Sequence, residues 1–334
     1  LMEKLVKGLN LEIELEGELM GAADGDMVWL RVVKMPKRNG KLRARVERVL
    51  GDAQDIRVQL RGIALSQGLH ERFPEEAIRQ AASIPMQVSE ADLAGRADLR
   101  NLTLFTIDGA DAQDFDDAVS LEPLAEGWTL GVHIADVSHY VRPHTPIDRE
   151  ALERGTSVYL PGLTLPMLPE ALSNRMCSLM PDVDRLAMSL MMEIKDGKVT
   201  DHRLAPSVIH SAARLTYEQV NRMLEGQASE VPAALHGTLK EMVGLARALR
   251  ERRNARGSID LDMPETAFTL DERGYPTDVR ARSRGESERL IEEFMLLANE
   301  TIAQLARTTE LPLLYRVHER PDPESVRSLE TFLQ

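Results

Sequence analysis

Five aspartates, Asp108, Asp111, Asp114, Asp116 and Asp117, fall within ten positions, between short apolar runs at residues 102–107 and 118–121. Runs of that length read as strands, so the acids sit where one strand ends and the next begins. Crowding like charges in a folded chain costs free energy through mutual repulsion. A hard divalent cation offsets that cost, because Mg²⁺ and Mn²⁺ prefer oxygen ligands. A calcium loop fits poorly, since a glycine at the sixth and a glutamate at the twelfth position do not fall into place together. Spacing alone leaves two readings open, an acidic surface loop and a metal site.

The chain has 334 residues, 43% hydrophobic and 28% charged, which suits two or three structural units with buried cores. No apolar run approaches the roughly 18 residues that span a bilayer, and no signal peptide opens the chain. The single cysteine, Cys177, excludes an internal disulfide framework and a multi-cysteine zinc site, and reads as a small core residue. A soluble, cytoplasmic monomer is expected. Both ends read as cut: the chain opens Leu1-Met2 and stops at Gln334 inside an amphipathic pattern over residues 323–333.

Lysine and arginine number 41 against 54 acids, a net charge of −13. The whole chain thus fails the simple basic-domain test for nucleic-acid binding. Enzymes that cut phosphodiesters with divalent metals still need carboxylates, and basic residues need only line the route. Aromatics are only 4%, so each ring able to stack on a base merits inspection.

Residues 1–62 read as part of a small β-barrel of the OB or cold-shock kind, with strands at 11–19, 26–34, 42–50 and 55–63. Lys34, Lys37, Arg38, Lys41, Arg43 and Arg45 form the densest basic cluster, either a solvated hairpin or an edge facing nucleic acid. Residues 63–100 read as a helical connector, with a helix opened by Phe73-Pro74-Glu75-Glu76. From residue 101 strand and helix patterns mix. Strands are predicted at 102–107, 118–121, 129–137, 186–194 and 198–204, and helices at 147–154, 217–224, 232–253 and 286–307. The fold class expected is α+β.

The stretch Thr106-Ile107-Asp108 with Asp114-Phe115-Asp116-Asp117-Ala118 resembles the signature of the ribonuclease II/ribonuclease R family, whose catalytic unit is the RNB domain. Further blocks match in order and spacing. They are Val132-His133-Ile134-Ala135-Asp136-Val137-Ser138-His139-Tyr140-Val141, Arg154-Gly155-Thr156-Ser157-Val158-Tyr159-Leu160-Pro161, Pro166-Met167-Leu168-Pro169-Glu170-Ala171-Leu172-Ser173-Asn174, Cys177-Ser178-Leu179, Ala213-Arg214-Leu215-Thr216-Tyr217 and Leu290-Ile291-Glu292-Glu293. The likeness runs from Asp98 to about Gln334.

The resemblance implies a processive, metal-dependent 3′-to-5′ exoribonuclease that takes single-stranded RNA with a free 3′ end to nucleoside 5′-monophosphates. The alternative is a non-catalytic RNA-binding relative that keeps the fold. By motif position, Asp108, Asp114, Asp116 and Asp117 are the catalytic residues. One or two Mg²⁺ (or Mn²⁺) are implied on Asp108, Asp114 and Asp117, and Asp116 serves the chemistry and the last nucleotide. Tyr159 aligns with a tyrosine that stacks on the terminal base, Tyr217 with one near the 2′-hydroxyl, and Glu292 with a glutamate favouring RNA over DNA. Leu261 stands where better-known members carry a phenylalanine that completes the base clamp. A catalytic arginine of the family, in a Ser-Pro-Ile-Arg-Arg-Tyr block, falls beyond Gln334.

From the residues themselves, Asp111 reads as a solvated neighbour. His133 and His139 read as packed, hydrogen-bonded residues. Arg185 is either a phosphate contact or an ion-pair partner.

Overall fold

The computed structural model describes residues 12–36, 41–259, 265–282, 284–317 and 319–333. The first unit holds strands β1 (Ile13–Leu15), β2 (Asp26–Lys34) and β3 (Leu42–Asp52), with β3 central, parallel to β1 and antiparallel to β2. Leu42, Ala44 and Val46 point inward at alternate positions of β3, and the arginines between them face out. Within the basic cluster, Lys41 pairs with Glu12 at 2.9 Å and Arg43 with Glu16 at 2.7 Å, so part of its charge is met by acids of the same unit. Lys37 and Arg38 lie outside the described residues.

The fourth strand expected at 55–63 is instead a helix, α1 (Ile56–Ser66). Ile56, Val58 and Leu60 alternate as a strand would, but the apolar positions continue at Ile63 and Ala64 with helical spacing. Asp55 settles the matter as N-cap, its side chain accepting from the backbone N–H of Arg57 at 2.9 Å. Helix α2 (Glu75–Ala82) follows, opened by Pro74 and two acids as expected.

The larger unit is built on a seven-stranded sheet of β4 (Ala97–Asp98), β5 (Leu104–Asp108), β6 (Asp117–Pro123), β7 (Trp128–Ala135), β10 (Asp184–Lys195), β11 (Lys198–His210) and β12 (Ala213–Thr216). Between β7 and β10 come α3 (Val137–Tyr140), α4 (Pro146–Arg154) and the hairpin β8 (Val158–Leu160) and β9 (Leu163–Leu165). Spatial order is β12-β5-β6-β7-β10-β11-β4, antiparallel inside and parallel at both edges. After β12 come α5 (Tyr217–Leu224), α6 (His236–Ala255), the hairpin β13 (Glu265–Leu270) and β14 (Pro276–Arg282), α7 (Glu286–Thr308) and α8 (Pro323–Leu333).

Period-two alternation divides the sheet's side chains between two cores. Phe105, Ile107, Val119 and Val132 face α5, α6 and α7, against Val220, Leu239, Leu290 and Phe294. Leu104, Ala118 and Ala187 face the opposite side, against α2, α4 and the segment around Met176 and Cys177. Each fully buried Phe or Leu contributes roughly 1.5–3 kcal/mol. The sheet is therefore held from both faces, and its strand ends are a rigid platform. Among the described residues no helix is long and apolar enough to cross a membrane.

Candidate active site

The aspartates occupy one end of that platform. Asp108 closes β5 and Asp117 opens β6, the antiparallel neighbour, with residues 109–116 looping between them. On the other side β12 runs parallel to β5, with Thr216 level with Asp108. Tyr217, the next residue, starts α5 behind a capping box made by Thr216 and Gln219. Two segments remote in sequence thus deliver Asp108 and Tyr217 to the same end of the sheet.

The loop is fastened from both flanks. Arg214 of β12 donates through Nη2 to the carbonyls of Gly109 and Ala110, each at 2.9 Å. Its guanidinium lies 5.3 Å from the centre of the Phe115 ring. On the opposite flank, the Phe115 N–H donates to Ser178 Oγ at 3.0 Å, and the Phe115 carbonyl accepts from Leu179 N–H at 2.8 Å. The Asp116 carbonyl accepts from Ala135 N–H at 2.9 Å.

Asp108 Oδ2 is buried without a hydrogen-bond partner, as is the hydroxyl of Thr106. Burial, then the charge of Asp117, pushes the Asp108 carboxyl up to about 7, and the nearby Thr106 hydroxyl and the positive charge of Arg214 only partly oppose this. Burial and the Asp116 charge push Asp117 up to about 6. Asp116 keeps solvent access, yet partial desolvation and the Asp114 charge raise it as well. Such carboxyls hold protons more tightly than free ones. Their donor set, hard oxygens with one buried atom unpaired, fits Mg²⁺ or Mn²⁺.

Among the described residues, three donor atoms within 4.8 Å of one another occur at His70, Glu150 and Glu153 rather than among the aspartates. There Arg154 already neutralises Glu150, at 2.7 Å with both side chains buried.

Tyr159 sits on the β8–β9 hairpin with its residue 65% exposed, so core packing, the ordinary fate of a tyrosine between Val158 and Leu160, does not apply. Its hydroxyl donates to Asp114 Oδ2 at 3.1 Å. The hairpin is anchored by Arg154, which donates to the carbonyls of Pro166 at 3.0 Å and Arg72 at 2.9 Å and stacks on Phe73 at 3.8 Å. Tyr217 is half-buried, packed against the helical core. Glu292 is exposed on α7, 3.8 Å from Arg284, while its neighbour Glu293 is buried against Arg253. Leu261 lies outside the described residues.

Asp111 is exposed, as expected of a solvated neighbour. His133 is fully buried between Ser120 and Ser189, at 3.0 and 2.6 Å, and burial lowers it to about 4, so it is neutral. His139 bonds Asp92 at 3.0 Å. Among the described residues Arg185 forms no ion pair. It is buried and donates to the carbonyls of Ser178, Arg175 and Asp184, at 2.9, 3.1 and 2.9 Å. Sequence reasoning missed Arg214 and Ser178 as loop anchors. Both lay in quoted blocks, but nothing in a linear string marks which carbonyl or N–H a side chain will meet.

The RNB domain family matches residues 96–334, and the chain belongs to that family. A cold shock domain matches residues 9–74. The chain is 46% identical over 320 residues to ribonuclease R of Thermotoga maritima, covering 94% of this chain and 45% of the relative. It is 39% identical over 320 residues to ribonuclease R of Escherichia coli, covering 95% of this chain and 39% of the relative. It therefore spans less than half the length of these relatives. Among solved structures, Mycoplasma genitalium RNase R in complex with ribose-methylated single-stranded RNA superposes with a TM-score of 0.90 at 29% identity, covering 96% of this chain and 50% of that one. Yeast Ssd1, described as a pseudonuclease, shares the fold with a TM-score of 0.70 at 17% identity.

Proposed function

We propose that this chain supplies the carboxylate and base-stacking groups of a processive 3′-to-5′ exoribonuclease acting on single-stranded RNA with a free 3′ end and releasing nucleoside 5′-monophosphates. The observation that carries the reading is the meeting of Asp108, Asp114, Asp116 and Asp117 at one sheet end, where burial and neighbouring carboxylates raise the proton affinities of Asp108, Asp116 and Asp117. The fold alone would not carry it, since a protein described as a pseudonuclease shares that fold.

Asp108, Asp114 and Asp117 would hold Mg²⁺, which activates water towards phosphorus and stabilises the leaving 3′ oxygen when bound. Asp116, solvent-accessible beside them, accepts a proton or orients the terminal nucleotide. Tyr159 offers an open ring face to the last base, and its hydroxyl keeps Asp114 oriented. A base on such a face gains about 1–3 kcal/mol without sequence preference. Tyr217 and Glu292 approach the ribose from α5 and α7, and the family resemblance assigns Leu261 the place of the clamp's second side chain. Residues 1–62 serve as the RNA-guiding barrel, 63–100 as the connector and 101–334 as the catalytic unit. The protein acts as a cytoplasmic monomer.

The test uses the full-length protein with Mg²⁺ and a 3′-tailed RNA. Mononucleotides and a short limit product are expected. Asp116→Asn should abolish cleavage while RNA still binds. RNA left intact by the unaltered protein, yet bound, would establish the non-catalytic RNA-binding alternative instead.

A further inference from the structure

Phe115 separates Asp114 from Asp116, and its backbone is fixed at both polar atoms by a single short segment. Its N–H donates to Ser178 Oγ at 3.0 Å, and its carbonyl accepts from Leu179 N–H at 2.8 Å. The ring between them is buried in the core of the sheet's second face. A residue held at N–H, carbonyl and side chain cannot rotate, so the two aspartates on either side take their directions from it.

Ser178 is itself held. It follows a π-helical turn, Leu172–Met176, a conformation rare enough in globular proteins to signal a local demand. The buried guanidinium of Arg185, at the start of β10, donates through Nε to the Ser178 carbonyl at 2.9 Å and to the Arg175 carbonyl at 3.1 Å. A cation is expensive to bury, and Arg185 spends its donors on carbonyls of this segment and on its neighbour Asp184. A relay thus runs from the sheet to the aspartate loop: Arg185, Ser178, Phe115, then Asp114 and Asp116. Asn174, from the π-turn, adds a bond to Gln113 Oε1 at 3.1 Å.

We propose that Ser178 and Arg185 are positioning residues for the aspartate loop, setting the directions of Asp114 and Asp116 without touching metal or RNA. The inference rests on the exoribonuclease reading given above. Outer partners of a metal site are commonly worth about 10–100-fold in metal affinity or activity.

The experiment compares full-length protein with Ser178→Ala, Arg185→Lys and Ser120→Ala. The last removes a buried hydroxyl on β6, three residues after Asp117, that bonds His133 instead of the loop. Mn²⁺ affinity is read by calorimetry, alongside kcat and KM on single-stranded RNA and the thermal midpoint. Ser178→Ala is expected to weaken Mn²⁺ binding about tenfold and lower kcat about tenfold or more, with KM little changed. Arg185→Lys, which keeps charge but loses the forked donors, should fall between it and the unaltered protein. Ser120→Ala should lower the thermal midpoint without moving Mn²⁺ affinity. Unaltered Mn²⁺ affinity and kcat in Ser178→Ala, or equal losses in Ser120→Ala, would overturn the positioning role. Unaltered protein that neither binds Mn²⁺ nor shortens RNA would instead overturn the exoribonuclease reading.

Discussion

Tyr159 Oη donates to Asp114 Oδ2 at 3.1 Å, across 45 residues of chain, so one side chain presents both an exposed ring and a bond to a site carboxylate. The two contributions are separable. Tyr159→Phe keeps the ring and drops the bond, and should leave RNA affinity within about threefold while lowering turnover. Tyr159→Ala removes the stacking face as well and should weaken RNA binding by about 1–3 kcal/mol, roughly 5- to 150-fold. Fluorescence anisotropy with a labelled RNA, next to single-turnover rates, checks both.

The raised carboxyls give the metal-free protein a characteristic pH response. Asp108 near 7 and Asp117 near 6 retain protons that the unfolded chain would release near 4. Between about pH 4 and 7 the folded state therefore binds more protons, and its stability falls as pH rises. Asp108→Asn removes the larger contribution and should stabilise the metal-free protein at pH 8 by about 2 kcal/mol, with little effect at pH 4. Denaturant melts in chelator at several pH values measure this. Mn²⁺ affinity should climb over the same interval, because the ligands must release protons to bind.

Glu292 and Glu293 are consecutive but face opposite environments. Glu293 is 4% exposed and held by Arg253 at 2.6 Å, so Glu293→Ala removes a buried ion pair and should cost about 3 kcal/mol of stability. Glu292, exposed on the next face of α7, should cost under about 0.5 kcal/mol when truncated. Its loss should instead narrow the preference for RNA over DNA tails. Chemical unfolding and paired RNA and DNA degradation assays separate the two.

Gly131 lies beneath the buried His133 ring. A Cβ there would come within 2.2 Å of Ser120 Oγ and 2.7 Å of His133 Nε2. Gly131→Ala should destabilise by about 1–3 kcal/mol through overpacking. Adding Ser120→Ala should recover part of the loss, and unfolding midpoints of the single and double variants test this.

Legibility from sequence divides along physical lines. The central strands and α5 and α7 were readable because their burial is periodic, and the aspartate loop because five acids between two strands demand a cause. The helix at 56–66 was hidden by three alternating apolar residues, and only the Asp55 cap distinguishes it locally. The short strands β8, β9 and β12 carry too few residues for periodicity to register. The exposure of Tyr159 was beyond reach, since it depends on a two-stranded ribbon standing off the core. The roles of Arg214, Ser178 and Arg185 consist of hydrogen bonds to backbone atoms, and backbone is the one chemistry that every position shares.

Arg214 and Gly109, joined through Nη2 and a carbonyl oxygen, lie 105 residues apart along the chain. A bridge of that span closes only after the intervening strands have found their places, and parallel edge pairing of this kind is slow to form. The acidic end of the sheet is therefore completed only once β12 has docked beside β5. A nascent or proteolysed chain lacking β12 would keep most of the sheet while leaving the Gly109 and Ala110 carbonyls without the Arg214 side chain that fastens them.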